Sequence, residues 1–181
     1  MSERARPEEG ATAADVSAEF VAAAVGRRFA DLDIPSLAAG ARMVVARADL
    51  AEKIALAFET ARRWRAGRLS RVRPTLDPPA PDRPGRPERP VLLSPRDMPK
   101  RSLSGTTAKA AQIHAIAHIE LNAIDLAFDV VGRFAAEAMP RSFLDDWVRV
   151  GREAATHCTR LNRRMPHFHA PYSDHPAHSG L

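Results

Sequence analysis

The chain has 181 residues, 45% of them hydrophobic, and a formal charge of +5, enough for one domain with a real core. A single cysteine excludes an internal disulfide and a cysteine zinc cage, and the apolar runs are too short to span a bilayer. Arginine outnumbers lysine and alanine is abundant, so the charge permits contact with nucleic acid without demanding it. The opening MSERARPEEG has no apolar stretch of the signal-peptide kind. A soluble, cytoplasmic protein is expected, with no membrane association.

Residues 1–34 read as a partly helical N-terminal extension. Ala13 to Ala30 can form a helix with Val16, Phe20 and Ala23 on one side, ended by Asp31 to Pro35. A domain over 35–165 comes next. Pro35 suits the start of a short helix, Ser36 to Arg47. Asp49 with Glu52 three residues on has the spacing of a capping box and opens a helix to about Ala66. Leu50, Ile54, Ala57, Ala61 and Trp64 line its apolar face, and Gly67 suits its C-terminal cap.

Around that helix end cluster Arg62, Arg63, Arg65, Arg68, Arg71 and Arg73. They are expected to be favourable charge at a helix C-terminus on a solvated face rather than a nucleic-acid site, because Trp64 lies on the apolar stripe. Residues 74–100 hold nine of the fifteen prolines, a density that excludes helix and central strand. The segment is expected to be an extended strap, anchored by the apolar run Val91 to Leu93. No strand pattern of any length appears elsewhere, so the fold class is all-α.

Ser104 or Thr106 can cap the longest helical pattern, which runs to Phe134. Ile113, Ile116, Ile124, Ala127 and Val131 fall on one stripe, and Glu120 falls in its middle. A carboxylate facing a core needs a partner or a metal. Pro140 opens the next helix, Arg141 to about Arg164, with Phe143, Trp147, Val150, Ala154, His157, Leu161 and Met165 on one stripe. The short loop between these two helices predicts an antiparallel hairpin.

Glu120 and His157 are therefore expected to meet, either as a metal-ligand pair or as a buried hydrogen bond. His114 and His118 sit roughly 100–140° from the stripe centre and are expected on the helix flank or in solvent, with His118 a weaker ligand candidate. Cys158 reads as inert packing. The tail 166–181 carries His167, His169, His175 and His178 and is expected to be disordered.

The runs HAIAHIELNAIDLAFD (114–129) and MPRSFLDDWVRV (139–150), with 49–69 and 84–101 upstream, resemble an uncharacterised bacterial ferritin-like family. The resemblance implies a four-helix bundle with a di-iron or di-manganese carboxylate site built from two single Glu and two E-x-x-H pairs. Glu120 matches the first Glu and His157 the first histidine. Ala154 stands where that motif has Glu, and the neighbouring Glu153 is one position off. The tail resembles the connection to the family's third helix and ends at Leu181, so the resemblance covers half a bundle: one hairpin with N-terminal helices and the strap.

The function implied by that resemblance is an incomplete protein of the dinuclear-metal carboxylate type. Its relatives would be metal-dependent oxidoreductases using iron or manganese, and this chain alone would be inactive. The other expectation is a non-enzymatic interaction module, with a second copy or a partner chain covering the exposed hairpin face. Nucleic acid is not expected as a partner.

Overall fold

The computed structural model describes residues 29, 32–88, 90–94, 96–97, 105–164 and 177–178, with 105–107 and 178 by backbone alone. Four bounded helices account for most of them: α1 (Leu37–Ala46), α2 (Leu50–Arg65), α3 (Gly105–Phe134) and α4 (Arg141–Arg164). Two strands, β1 (Leu92–Leu93) and β2 (Ala177–His178), pair in parallel over two residues each. The expected all-α class stands at this level.

Local chemistry sets the helix ends. Ser36, in extended backbone, accepts from Ala39 N at 3.1 Å and caps α1. Two further N–H groups of that first turn, Leu37 N and Ala38 N, donate to the carbonyls of Ser70 and Arg71 at 2.8 and 3.0 Å. Pro35 thus precedes the cap rather than opening the helix. Asp49 Oδ1 accepts from Glu52 N at 2.8 Å, as the box spacing predicts. Gly67 lies just past α2 with φ of +68°, a left-handed turn that other side chains rarely adopt.

Each helix packs on two others: α1 on α2 and α3, α4 on α2 and α3. The α3–α4 pair is antiparallel, with Phe128 against Gly151 and the Ala117 carbonyl 3.9 Å from the Cys158 sulfur. A Cβ on Gly151 would lie 2.7 Å from the Phe128 ring, so glycine lets the two helices approach there. Leu37, Val44, Leu56, Trp64, Ile124, Phe128, Val131, Leu144 and Val148 fill the space between the helices. Each such large side chain contributes about 1.5–3 kcal/mol on burial.

Residues 78–86 run without helix along α1 and α3. Arg42 donates to Pro78 O at 2.8 Å, Arg133 to Pro81 O at 3.0 Å, and Gly85 N to Val45 O at 2.8 Å. Backbone carbonyls, which proline retains, make most of these contacts. The apolar anchor expected at Val91 to Leu93 is not what holds that stretch. Val91 and Leu92 are exposed, and the backbone pairs instead with β2, beginning with Ala177 N to Val91 O at 3.0 Å.

Of the tail expected to be disordered, Ala177 is buried and its neighbour pairs with Leu93. The remainder of the tail, with His167, His169 and His175, lies outside the described residues. So do the helix expected over 13–30, apart from the helical and buried Phe29, and the cap Ser104; Thr106 already lies inside α3, which begins at Gly105.

Candidate metal-ligand pair and buried polar cluster

Glu120 on α3 and His157 on α4 face each other, with Nδ1 to Oε1 at 3.3 Å. Antiparallel packing brings residues so far apart in sequence to one level. The pair is not in the core. Glu120 keeps 21% of its side chain exposed and His157 keeps 52%. Both lie at the solvent edge of the α3–α4 seam, which corrects the expectation that each sits in a buried stripe. Glu153, four residues before His157, is exposed and has no hydrogen bond or ion pair among the described residues. Ala154 is buried.

The buried face of α3 keeps Ile124, Ala127 and Val131 of the predicted stripe but is centred to one side of it. It also runs through His114, Ala117, His118, Leu121, Asp125 and Phe128. His114 and His118 are 2% and 5% exposed, so their expected place on a flank or in solvent is wrong. Toward the C-terminal half of that side, α1 and the 78–86 segment contact α3 at Asn122, Asp125, Gly132 and Arg133. The opposite side of α3 presents a second apolar row at exposed Ile116, Ile119, Leu126 and Phe134, with Val150 on α4. Glu120 and His157 border this row.

Helix periodicity did not expose the most buried charge among the described residues. Lys53 on α2 is fully buried, and its ammonium donates to Val45 O at 3.3 Å, Gly85 O at 3.1 Å and the Asp125 carboxylate. Arg86 lies 3.2 Å from the other Asp125 oxygen and donates to Asn122, which itself donates to His118 O at 2.7 Å. Burial pushes the Lys53 pKa below its usual value, and the Asp125 carboxylate beside it opposes that shift. Burial pushes the Asp125 carboxyl up, with Lys53 opposing. The cluster ties α1, α2, α3 and the 78–86 segment together. A signal for it existed: 114, 118, 121 and 125 share one helical face, and Lys53 lies beside the α2 stripe.

Half of the arginine cluster, Arg62, Arg63 and Arg71, serves structure. Arg62 and Arg63 bind Glu59, Arg63 also donates to Leu32 O and Phe29 O, and Arg71 donates to Met139 O. Trp64 is buried, as its place on the stripe predicts, and its indole donates to Asp145 at 2.7 Å. Burial pushes the Cys158 thiol up to about 12, with Glu120 adding to the shift, so the thiolate is scarce.

An imidazole nitrogen and a carboxylate oxygen 3.3 Å apart fit two donors sharing one ion at about 2.1 Å each. Among the described residues no group of three or more His, Cys, Asp or Glu is placed to hold a metal. Two donors do not fit a dinuclear centre, so no redox step is assigned to this chain. No described helix is long and apolar enough to cross a membrane.

The fold and this pair define an all-α protein with a Glu–His pair on the exposed edge of a helical hairpin. The chain belongs to the family described as "Protein of unknown function (DUF455)", whose model matches residues 46–181. An uncharacterised protein of Haemophilus influenzae is 43% identical over 100 residues, covering 52% of this chain and 35% of that protein. The match spans about a third of that curated relative's length. No solved structure matches the chain.

Proposed function

We propose that this chain carries one half of a ferritin-like, dinuclear-metal carboxylate protein, in which Glu120 and His157 are one ligand pair for iron or manganese. The observation that carries this reading is the 3.3 Å contact at the edge of an exposed apolar face. Helices docking on that face would bring the remaining carboxylates and exclude water. Bound metal ions would supply Lewis-acid and redox chemistry toward dioxygen or peroxide. This chain's residues orient one carboxylate and one imidazole, and the 78–86 part of the strap braces α1 and α3. By itself the chain is inactive as an oxidoreductase. A cytoplasmic setting belongs to the proposal and agrees with the single, buried cysteine.

The test is to titrate the purified chain with Mn(II) anaerobically, follow free ion by EPR, and repeat with Glu120→Ala and His157→Ala. Weak, substoichiometric binding lost in both variants supports the reading. Two tightly held ions per chain removed by Glu120→Ala would show a complete site, and binding untouched by both variants would remove the ligand roles.

The exposed row Ile116, Ile119, Leu126 and Phe134 favours a second reading, a non-enzymatic interaction module in which two copies, or a partner chain, bury that row. Light scattering separates the two. A stable metal-free dimer dispersed by Ile119→Glu supports the module, whereas a monomer without metal supports the half-site.

A further inference from the structure

We propose that the groove between α2 and α4 binds a small phosphorylated molecule. The groove encloses about 490 Å³, inside the roughly 300–1,000 Å³ range of small-molecule sites. Its apolar floor is Ala61, Val148 and Trp64, and its walls carry Arg65 from α2 with Arg141, Arg149 and Arg152 from α4. Two acids share the lining, and both are engaged. Asp145 accepts from the Trp64 indole at 2.7 Å and lies 3.6 Å from Arg141, while Asp146 lies 2.8 Å from Arg149. The guanidiniums of Arg65 and Arg152 have no hydrogen bond or ion pair among the described residues.

Two unpartnered guanidiniums from two helices therefore line one cavity with an apolar floor. Planar guanidinium forks match phosphate oxygens in pairs, and a dianionic group would neutralise both charges. Arg141 adds a second sign. It is the first residue of α4, where the positive end of the helix dipole disfavours a cation. The Trp64 ring, 4.4 Å from its guanidinium carbon, holds it there. A nucleic-acid strand fits less well. The Trp64 face is covered by Arg141, and Arg62, Arg63 and Arg71 are bound elsewhere. The lining shares no residue with the Glu120–His157 edge, so this site stands or falls apart from the metal reading.

Isothermal titration with inorganic pyrophosphate tests it. Wild type is expected to bind one equivalent, and Arg65→Gln/Arg152→Gln to lower the affinity roughly tenfold or more. Arg68→Gln/Arg73→Gln removes the same charge outside the groove and is expected to change affinity less than about twofold. Melting curves confirm folding; a poorly folded Gln pair is replaced by Arg65→Lys/Arg152→Lys, which keeps the charge and removes the fork, and a clear loss of affinity is again expected. Absence of heat with wild type, or equal losses in the two Gln pairs, overturns the proposal. A short single-stranded RNA that binds more tightly than pyrophosphate and is weakened equally by both Gln pairs overturns it in favour of nucleic acid.

Discussion

Replacing Lys53 with methionine keeps the length of the side chain and removes its charge. The ammonium is fully buried and serves three oxygens: Val45 O, Gly85 O and one oxygen of Asp125. Its loss leaves a buried carboxylate whose remaining cation is Arg86, 3.2 Å away, and takes a donor from Gly85 O and from Val45 O, the latter keeping Gly85 N. Removing one partner of a buried pair costs about 3–5 kcal/mol, and the residual Arg86 contact places Lys53→Met near the lower end, about 3 kcal/mol. For a chain of this size that lowers Tm by roughly 6–12 °C. Lys53→Met/Asp125→Leu removes both charges and should recover most of the loss, because an apolar pair avoids the desolvation penalty. The pH dependence has a definite sign. Burial already raises Asp125 above the usual 3.8, and losing Lys53 raises it further. The folded variant then binds its proton at higher pH than the unfolded chain does. Its deficit against wild type therefore shrinks as pH falls through that raised value. Urea unfolding of the four members of the double-mutant cycle at pH 8 and pH 5 measures all of this. A cost below about 1 kcal/mol for Lys53→Met, or a double variant less stable than the single, would refute a stabilising role for the cluster's charge pairing.

The same packing has other consequences. Gly85→Ala would put a Cβ 2.2 Å from Ala46 O, so the segment must lift away and lose Gly85 N to Val45 O and the Lys53 contact; thermal melts should show a loss of about 2–3 kcal/mol. Burial pushes Glu59 up, and hydrogen bonds from Arg62 and Arg63 more than offset it, leaving its pKa below the usual 4.5. Its contribution is present above pH 4.5 and disappears as pH falls through the lowered value, so the stability gap between wild type and Glu59→Gln should close on acidification, read by urea midpoints from pH 7 to 3. Leu126→Glu, at a residue 59% exposed, should cost less than about 0.5 kcal/mol in urea unfolding while raising the concentration at which the chain begins to associate.

Much of this protein is local and was readable from residues alone. Proline at 140, the Asp49–Glu52 spacing and Gly67 act within a few bonds of themselves, so they mark helix ends whatever packs around them. The apolar periods gave the helices, and the short loop before Arg141 gave the antiparallel pair, which put Glu120 opposite His157. The side on which α3 is buried was not local. That helix has two apolar rows, one through Ile116, Ile119 and Leu126 and one through Ala117, Leu121, Ile124 and Phe128. A helical wheel gives the period of such a pattern; with two rows it leaves open which one faces the core. Contacts from α1 and the 78–86 segment chose the second row. They enclosed Asp125, and Glu120 stayed at the edge. Lys53 was hidden for the same reason: a buried ammonium is tolerable only with oxygens around it. Those oxygens come from Val45, Gly85 and Asp125, up to 72 residues away, and only the folded chain brings them together.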